Sequence, residues 1–201
     1  MSLTGLEMIV SLLLGYLCGT IPFGLILTRA AGLGDIRSIG SGNIGATNVL
    51  RTGDKKLAAL TLILDTLKGT LPAIVMGWLY GPQAAVLAGL AAFFGHLFPL
   101  WLKFKGGKGV ATGMGVLFGL FWPLGLIFIA VWIAMAALFR FSSLSALTAV
   151  ILSPLWAFLL GRNDLLLPTA VMAIAVWITH RANIARLLKG EEPRIGGSKT
   201  A

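Results

Sequence analysis

The chain has 201 residues, of which 57% are hydrophobic and 11% charged, against roughly 45–50% and about 25% in soluble domains. That much apolar surface excludes a water-soluble globule and a disordered chain, and the single cysteine, Cys18, excludes a disulfide scaffold. The formal net charge of +9 is the basic bias of cytoplasmic loops, not a nucleic-acid surface, because Phe and Trp sit inside apolar runs instead of among Lys and Arg.

A helix needs about 20 mostly apolar residues to cross roughly 30 Å of hydrocarbon. The first such run is Leu6 to Leu27, with Glu7 at its start and Pro22 near its end. It lacks a basic n-region, so it reads as a span and not as a cleaved signal peptide. A polar, Gly-rich stretch, 29–56, follows. The second run, Leu57 to Tyr80, contains Asp65 and Lys68, and Gly81-Pro82 turns into a third, Gln83 to Leu102. A dense basic loop, 103–109, comes next. The uncharged residues from Val110 to Phe139 would form one helix of about 45 Å, too long for a bilayer core without strong tilt. Trp122-Pro123 offers a break, and two short spans joined there return the chain to its starting side at Arg140. The last runs are Ser145 to Leu160 and Leu165 to Leu188.

With that hairpin there are seven spans, and every Lys and Arg except Arg162 and Lys68 falls on one side. The positive-inside rule makes that side cytoplasmic. The expected fold is therefore an all-α polytopic bundle of seven spans, with the N-terminus outside and the C-terminus in the cytoplasm. Residues 1–189 are expected to form a single transmembrane catalytic domain, and 190–201 a short, disordered cytoplasmic tail.

Three segments on the cytoplasmic side carry chemistry. The first runs from Gly40 to Arg51: its glycines let backbone N–H groups turn toward an anion, Ser41, Asn43, Thr47 and Asn48 add neutral donors, and Arg51 grips phosphate. An ordinary flexible loop is the alternative reading; it accounts readily for the Gly and Ser and less well for this density of Asn, Thr and Arg. The second, Phe104 to Thr112, sets Lys105 and Lys108 among Gly106, Gly107 and Gly109 at the start of an apolar helix, where helix N–H groups and lysine favour anions. It is not a Walker A loop, since Lys108 is followed by Gly109. The third, Thr179 to Leu187, spaces His180, Asn183 and Arg186 by three, near one helical face. Asp65 and Lys68 within a span need each other or a polar cavity. Together with His96 they are expected to support the site, and Ser142, Ser143 and Ser145 follow Arg140 on the same side.

Two histidines, one cysteine and scattered carboxylates supply no metal cluster. No His-x4-Asp element occurs, and no Ser or Cys has a partnered base. A small transporter or channel for a phosphorylated metabolite would also explain spans and anion motifs. Against it, comparable polar residues are missing from the outer side and the halves show no evident inverted repeat.

In combination, Gly40–Arg51, Phe104–Thr112 and Thr179–Leu187, with Asp65-Thr66-Leu67-Lys68-Gly69 and His96-Leu97-Phe98-Pro99 between them, closely resemble the acyl-phosphate:glycerol-3-phosphate acyltransferase family (PlsY) of bacterial membranes. The resemblance implies transfer of a fatty acyl group from acyl phosphate to the 1-hydroxyl of glycerol 3-phosphate, giving lysophosphatidic acid and phosphate. It implies the inner membrane, a cytoplasmic active site, and no cofactor, metal, acyl-CoA or acyl carrier protein. The partners it implies are the two substrates and membrane lipid, with no nucleic acid and a monomeric chain. His180, Asn183, Ser41, Arg51 and Lys108 are expected at the reacting groups. Asn43, Thr47, Asn48, Lys105, Gly106, Gly107, Gly109, Ser145 with its neighbour Ser143, and Arg186 are expected around the substrates. The hydroxyl proton goes either to His180 or to a donor phosphate oxygen.

Overall fold

The computed structural model describes residues 3–196, and among these all regular structure is helical. The chain divides into two compact units, Met1–Trp122 and Pro123–Ala201, each described by itself.

In the first unit, Thr4 starts α1 (Gly5–Gly19) with a capping box: its hydroxyl accepts from the Glu7 N–H, and the Glu7 carboxylate accepts from the Thr4 N–H. Proline has no N–H to continue the ladder, so the helix stops before Pro22 and resumes as α2 (Phe23–Ala30). The expected first span is thus two helices meeting at a break. The polar stretch beyond it contains two 3-10 turns, Ile36–Ser38 and Leu50–Thr52, and a single turn of helix, α3 (Ala46–Val49). Asp54 then caps α4 (Lys55–Tyr80) by accepting from the Lys56 and Leu57 N–H groups at 2.9 and 3.0 Å. Gly81 closes α4, and Pro82 opens α5 (Pro82–Leu97) at the first-turn position that spares its missing N–H.

Small residues bring α1 and α5 together. Gly15 and Gly19 face Ala88 and Ala92 so closely that a methyl on either glycine would overlap the facing backbone. Such small-xxx-small faces pack helices where lipid supplies no hydrophobic drive. A separate apolar cluster of Leu25, Ile36, Ile44, Val49 and Ala58 is flanked by Ile39, Leu57 and Leu102, which packs the Gly40–Arg51 segment beside the approach to the basic loop.

The helix α6 (Val110–Phe139) is interrupted at Phe121, where the backbone is extended (φ −163°, ψ 96°). This is one residue ahead of the expected Trp122-Pro123 break. Pro123 explains it, since proline disfavours helical geometry in the residues before it.

In the second unit, Arg140 adopts a left-handed backbone (φ 62°) ahead of α7 (Ser142–Leu159), which begins three residues before the expected Ser145. It packs on α8 (Leu166–Thr179) through a core including Leu147, Val150, Met172 and Val176. The last run was expected as one helix from Leu165 to Leu188. It is instead α8 and α9 (Arg181–Lys189), bent by 61° at His180. Gly190, left-handed at φ 72°, ends α9 and turns the chain back. The tail expected to be disordered from here makes specific contacts through Ile195, whose N–H donates to the Arg140 carbonyl at 2.7 Å and whose carbonyl accepts from the Arg140 guanidinium at 3.1 Å. Residues 197–201 of that tail lie outside the described residues.

By length and composition five helical segments among the described residues suffice to cross a membrane, with α1 and α2 counted together, or six if α8 and α9 also count as one bent span.

Candidate active site

The Gly40–Arg51 segment is organised around Asn48, which is buried. Its amide nitrogen donates to the carbonyls of Ile36, Ile39 and Asn43 at 2.9–3.0 Å. Its Oδ1 accepts from the Ser41 N–H at 3.1 Å and from the Arg51 guanidinium at 3.4 Å. Asn43 Oδ1 accepts from the Gly45 N–H at 2.8 Å, an Asx turn. Both asparagines were expected to donate to substrate; the Asn48 carboxamide is instead spent inside the loop, as is the Asn43 Oδ1, because buried carbonyls and N–H groups of an irregular turn must find partners. The structure does bring Ser41 and Arg51 together, both exposed, on the shared acceptor Asn48 Oδ1. A Cβ on Gly40 would come within 2.6 Å of the Arg51 side chain, so this close approach requires glycine. Thr47 is exposed on α3.

Arg29 and Arg37, on the same stretch, are both paired with Asp35, at 2.8 and 2.6 Å. Hydrogen bonds from Arg37 hold the Asp35 carboxyl well below the usual carboxylate range. Arg51 differs: among the described residues it meets the neutral Asn48 Oδ1, and no carboxylate bridges it. Its charge is left to meet an anion.

The basic loop departs from expectation in a similar way. Lys103 and Phe104 both take left-handed backbone (φ 52° and 60°), a combination costly for residues with side chains. The N–H groups of Gly106 and Gly107 then donate to the carbonyls of Leu97 and His96, each at 3.0 Å. These amides anchor the loop on the end of α5 and do not point outward as an anion cradle. Gly107 and Gly109 are buried, Lys105 is exposed, and Lys108 is half-buried beside them. Cation placement, more than backbone N–H groups, is what this loop offers a phosphate.

In the second unit, His180 is the hinge between α8 and α9 and is 3% exposed. Its Nδ1 lies 2.8 Å from the Val176 carbonyl oxygen. That oxygen only accepts, so Nδ1 carries a hydrogen, and in the neutral ring the lone pair is at Nε2. Asn183 and Arg186 follow on α9, with His180 at its start. Ser145 is fully buried and donates to the Phe141 carbonyl of its own helix at 2.8 Å. The Ser143 hydroxyl is also buried and helps to hold the Glu192 carboxyl in its charged form, so it is no freer than Ser145 to meet a ligand.

The family model for glycerol-3-phosphate acyltransferase matches residues 9–190. The chain belongs to the glycerol-3-phosphate acyltransferase family. Curated relatives of that name include one from Mesorhizobium japonicum, 61% identical over 94% of this chain and 96% of the relative. Another, from Maricaulis maris, is 61% identical over 92% of this chain and 86% of the relative. A crystal structure of PlsY (YgiH), an integral membrane glycerol 3-phosphate acyltransferase in its glycerol 3-phosphate form, is similar with a TM-score of 0.90. It shares 38% identity over 94% of this chain and 96% of that one. The lysophosphatidic acid form gives 0.87 at 37% identity, over 93% and 94%.

One residue of this family member escapes sequence reasoning altogether. Glu192 reaches back across the Gly190 turn, accepting from Asn183 Nδ2 at 2.6 Å and from Arg186 Nε at 2.7 Å. Burial works against its negative charge, but interactions with Ser143, Asn183 and Arg186 outweigh burial and hold the carboxyl below the ordinary glutamate range. Arg186, expected as a substrate ligand, therefore has its charge compensated within the protein. The signal in the sequence is the acidic pair Glu191-Glu192 just past Gly190 in an otherwise basic tail.

Proposed function

We propose that this chain transfers a fatty acyl group from acyl phosphate to the 1-hydroxyl of glycerol 3-phosphate, giving 1-acylglycerol 3-phosphate and inorganic phosphate. The observation that carries this reading is the likeness, over 94% of the chain at 38% identity, to an acyltransferase crystallised in its glycerol 3-phosphate form. The relatives at about 60% identity bear the same activity in their name.

Both substrates carry phosphate, and Arg51 and Lys108 supply the cations that hold it; Ser41, next to Arg51, donates beside it. In the reaction the hydroxyl oxygen bonds to the acyl carbon, the bond from that carbon to the phosphate oxygen breaks, and the proton leaves on the departing phosphate. Acyl phosphate is a mixed anhydride with a good leaving group, so no covalent enzyme intermediate is needed. Positioning and charge stabilisation suffice. His180, its ring fixed by the Nδ1 contact with the Val176 carbonyl, and Asn183 position the glycerol moiety, which leaves the 1-hydroxyl hydrogen directed at the donor phosphate.

The same reading makes the enzyme a monomer of the bacterial inner membrane with seven spans, its N-terminus outside and its chemistry at the cytoplasmic face. The supporting observations are five or six membrane-length helices, the extended residue inside α6, and the one-sided distribution of Lys and Arg. Offering the detergent-purified protein acyl phosphate, acyl-CoA or acyl carrier protein as donor tests it. Acylation of glycerol 3-phosphate from acyl phosphate alone is expected; equal rates from acyl-CoA would sink the donor assignment.

A further inference from the structure

Beneath the basic loop of the first unit, two charges and an imidazole are buried together. Asp65 and Lys68, one turn apart on α4, form an ion pair at 2.7 Å with both side chains 2% exposed. Lys68 Nζ also donates to the Ile21 carbonyl at 2.7 Å, at the break before Pro22, and stands 5.7 Å from the centre of the Phe23 ring. His96, near the end of α5, brings Nδ1 to 4.0 Å from Asp65 Oδ1, and that nitrogen has no hydrogen-bond partner among the described residues. The other edge of the ring lies against Gly107: a methyl there would overlap Nε2 and stand 2.5 Å from Cε1. His96 also accepts the Gly107 N–H at its backbone carbonyl.

Stability is a poor reason for this cluster. Apolar residues of similar volume often replace a buried ion pair at no cost, and a buried nitrogen without a partner is a penalty. What the cluster does is fix geometry. The ion pair joins α4 to the break between α1 and α2, the imidazole fills the space between Asp65 and Gly107, and Gly107 precedes Lys108.

We propose that Asp65, Lys68 and His96 are positioning residues for Lys108: the buried pair sets the His96 ring, and the ring sets the Gly106–Gly109 backbone from which Lys108 reaches a substrate phosphate. The proposal rests on the reading of Lys108 as a phosphate ligand. None of the three residues touches substrate, so their effect on catalysis passes through Lys108.

A double-mutant cycle separates that route from a general structural role. In the purified enzyme His96→Leu is expected to lower kcat/KM about tenfold, mainly by raising KM, but less than about twofold when Lys108 is already Ala, because residues acting through one group are not additive. Equal losses in the two backgrounds, with Lys108→Ala itself damaging, overturn the positioning proposal alone. A Lys108→Ala enzyme with unchanged kcat/KM overturns the phosphate reading and the proposal with it. Should His96→Leu fail to fold, Gly107→Ala probes the same contact from the loop side. It is expected to cost about tenfold by itself but less than about twofold when Lys108 is already Ala. A Gly107→Ala loss that is equal with Lys108 present and with Lys108→Ala overturns the proposal.

Discussion

Glu192 holds Asn183 by a 2.6 Å hydrogen bond that spans nine residues and the turn at Gly190. The same carboxylate takes the Arg186 Nε at 2.7 Å, so one acidic side chain fixes two residues of α9, and the donor end of the Asn183 amide faces Glu192.

Removing that charge should loosen both. In Glu192→Gln the amide retains one acceptor for Asn183, while Arg186 loses a charge-assisted bond of roughly 1.5–3 kcal/mol. A lower melting temperature than wild type is expected, by differential scanning fluorimetry in detergent. The pH dependence follows from the depressed Glu192 pKa. Its stabilisation is complete above the ordinary glutamate value of about 4.5 and is lost as pH falls through the lower folded value. Wild type should therefore lose melting temperature below about pH 4.5 more steeply than Glu192→Gln. Parallel curves would contradict the clamp.

Arg51 and Lys108 are predicted to hold substrate phosphate. Losing a charge-assisted hydrogen bond of roughly 1.5–3 kcal/mol corresponds to at least about a tenfold loss in efficiency. Arg51→Ala and Lys108→Ala should each show that loss in kcat/KM while eluting as folded protein on size exclusion. Near-normal kinetics in both variants would contradict the assignment.

His180 is predicted to position the hydroxyl and not to take its proton. His180→Gln, which keeps a hydrogen-bonding group, should then retain much of the activity with an almost unchanged pH–rate profile. A general base contributes about 10²–10⁴-fold. A folded His180→Gln enzyme that binds both substrates and has lost activity on that scale would make His180 the base.

The membrane sidedness is checked by cysteine labelling in a Cys18→Ala background. Lys56→Cys, Lys105→Cys and Lys189→Cys should be shielded from an impermeant thiol reagent in intact cells, and Arg162→Cys should react. Labelling at any of the first three would break the seven-span arrangement.

The all-helical, membrane-length character of the chain and the interruption near Pro123 were legible in the sequence because apolar length and proline chemistry are local properties. The 61° bend at His180 was not: neither glycine nor proline marks it, and it shows only where α9 leaves the direction of α8. Asn43 and Asn48 read as substrate donors because their amides look alike in sequence whether they face a ligand or a neighbouring carbonyl. Only the folded loop reveals that Ile36, Ile39 and Asn43 consume the Asn48 amide. Glu192 stayed hidden because helical periodicity relates residues three or four apart, and its contacts cross a turn.

The most direct test of the acyl-transfer account counts both products in one reaction. Purified protein in detergent, given acyl phosphate and glycerol 3-phosphate, should release inorganic phosphate and form 1-acylglycerol 3-phosphate in equal amounts, with little phosphate released when glycerol 3-phosphate is omitted. Phosphate release that does not depend on glycerol 3-phosphate, or the absence of acylated product, would contradict it.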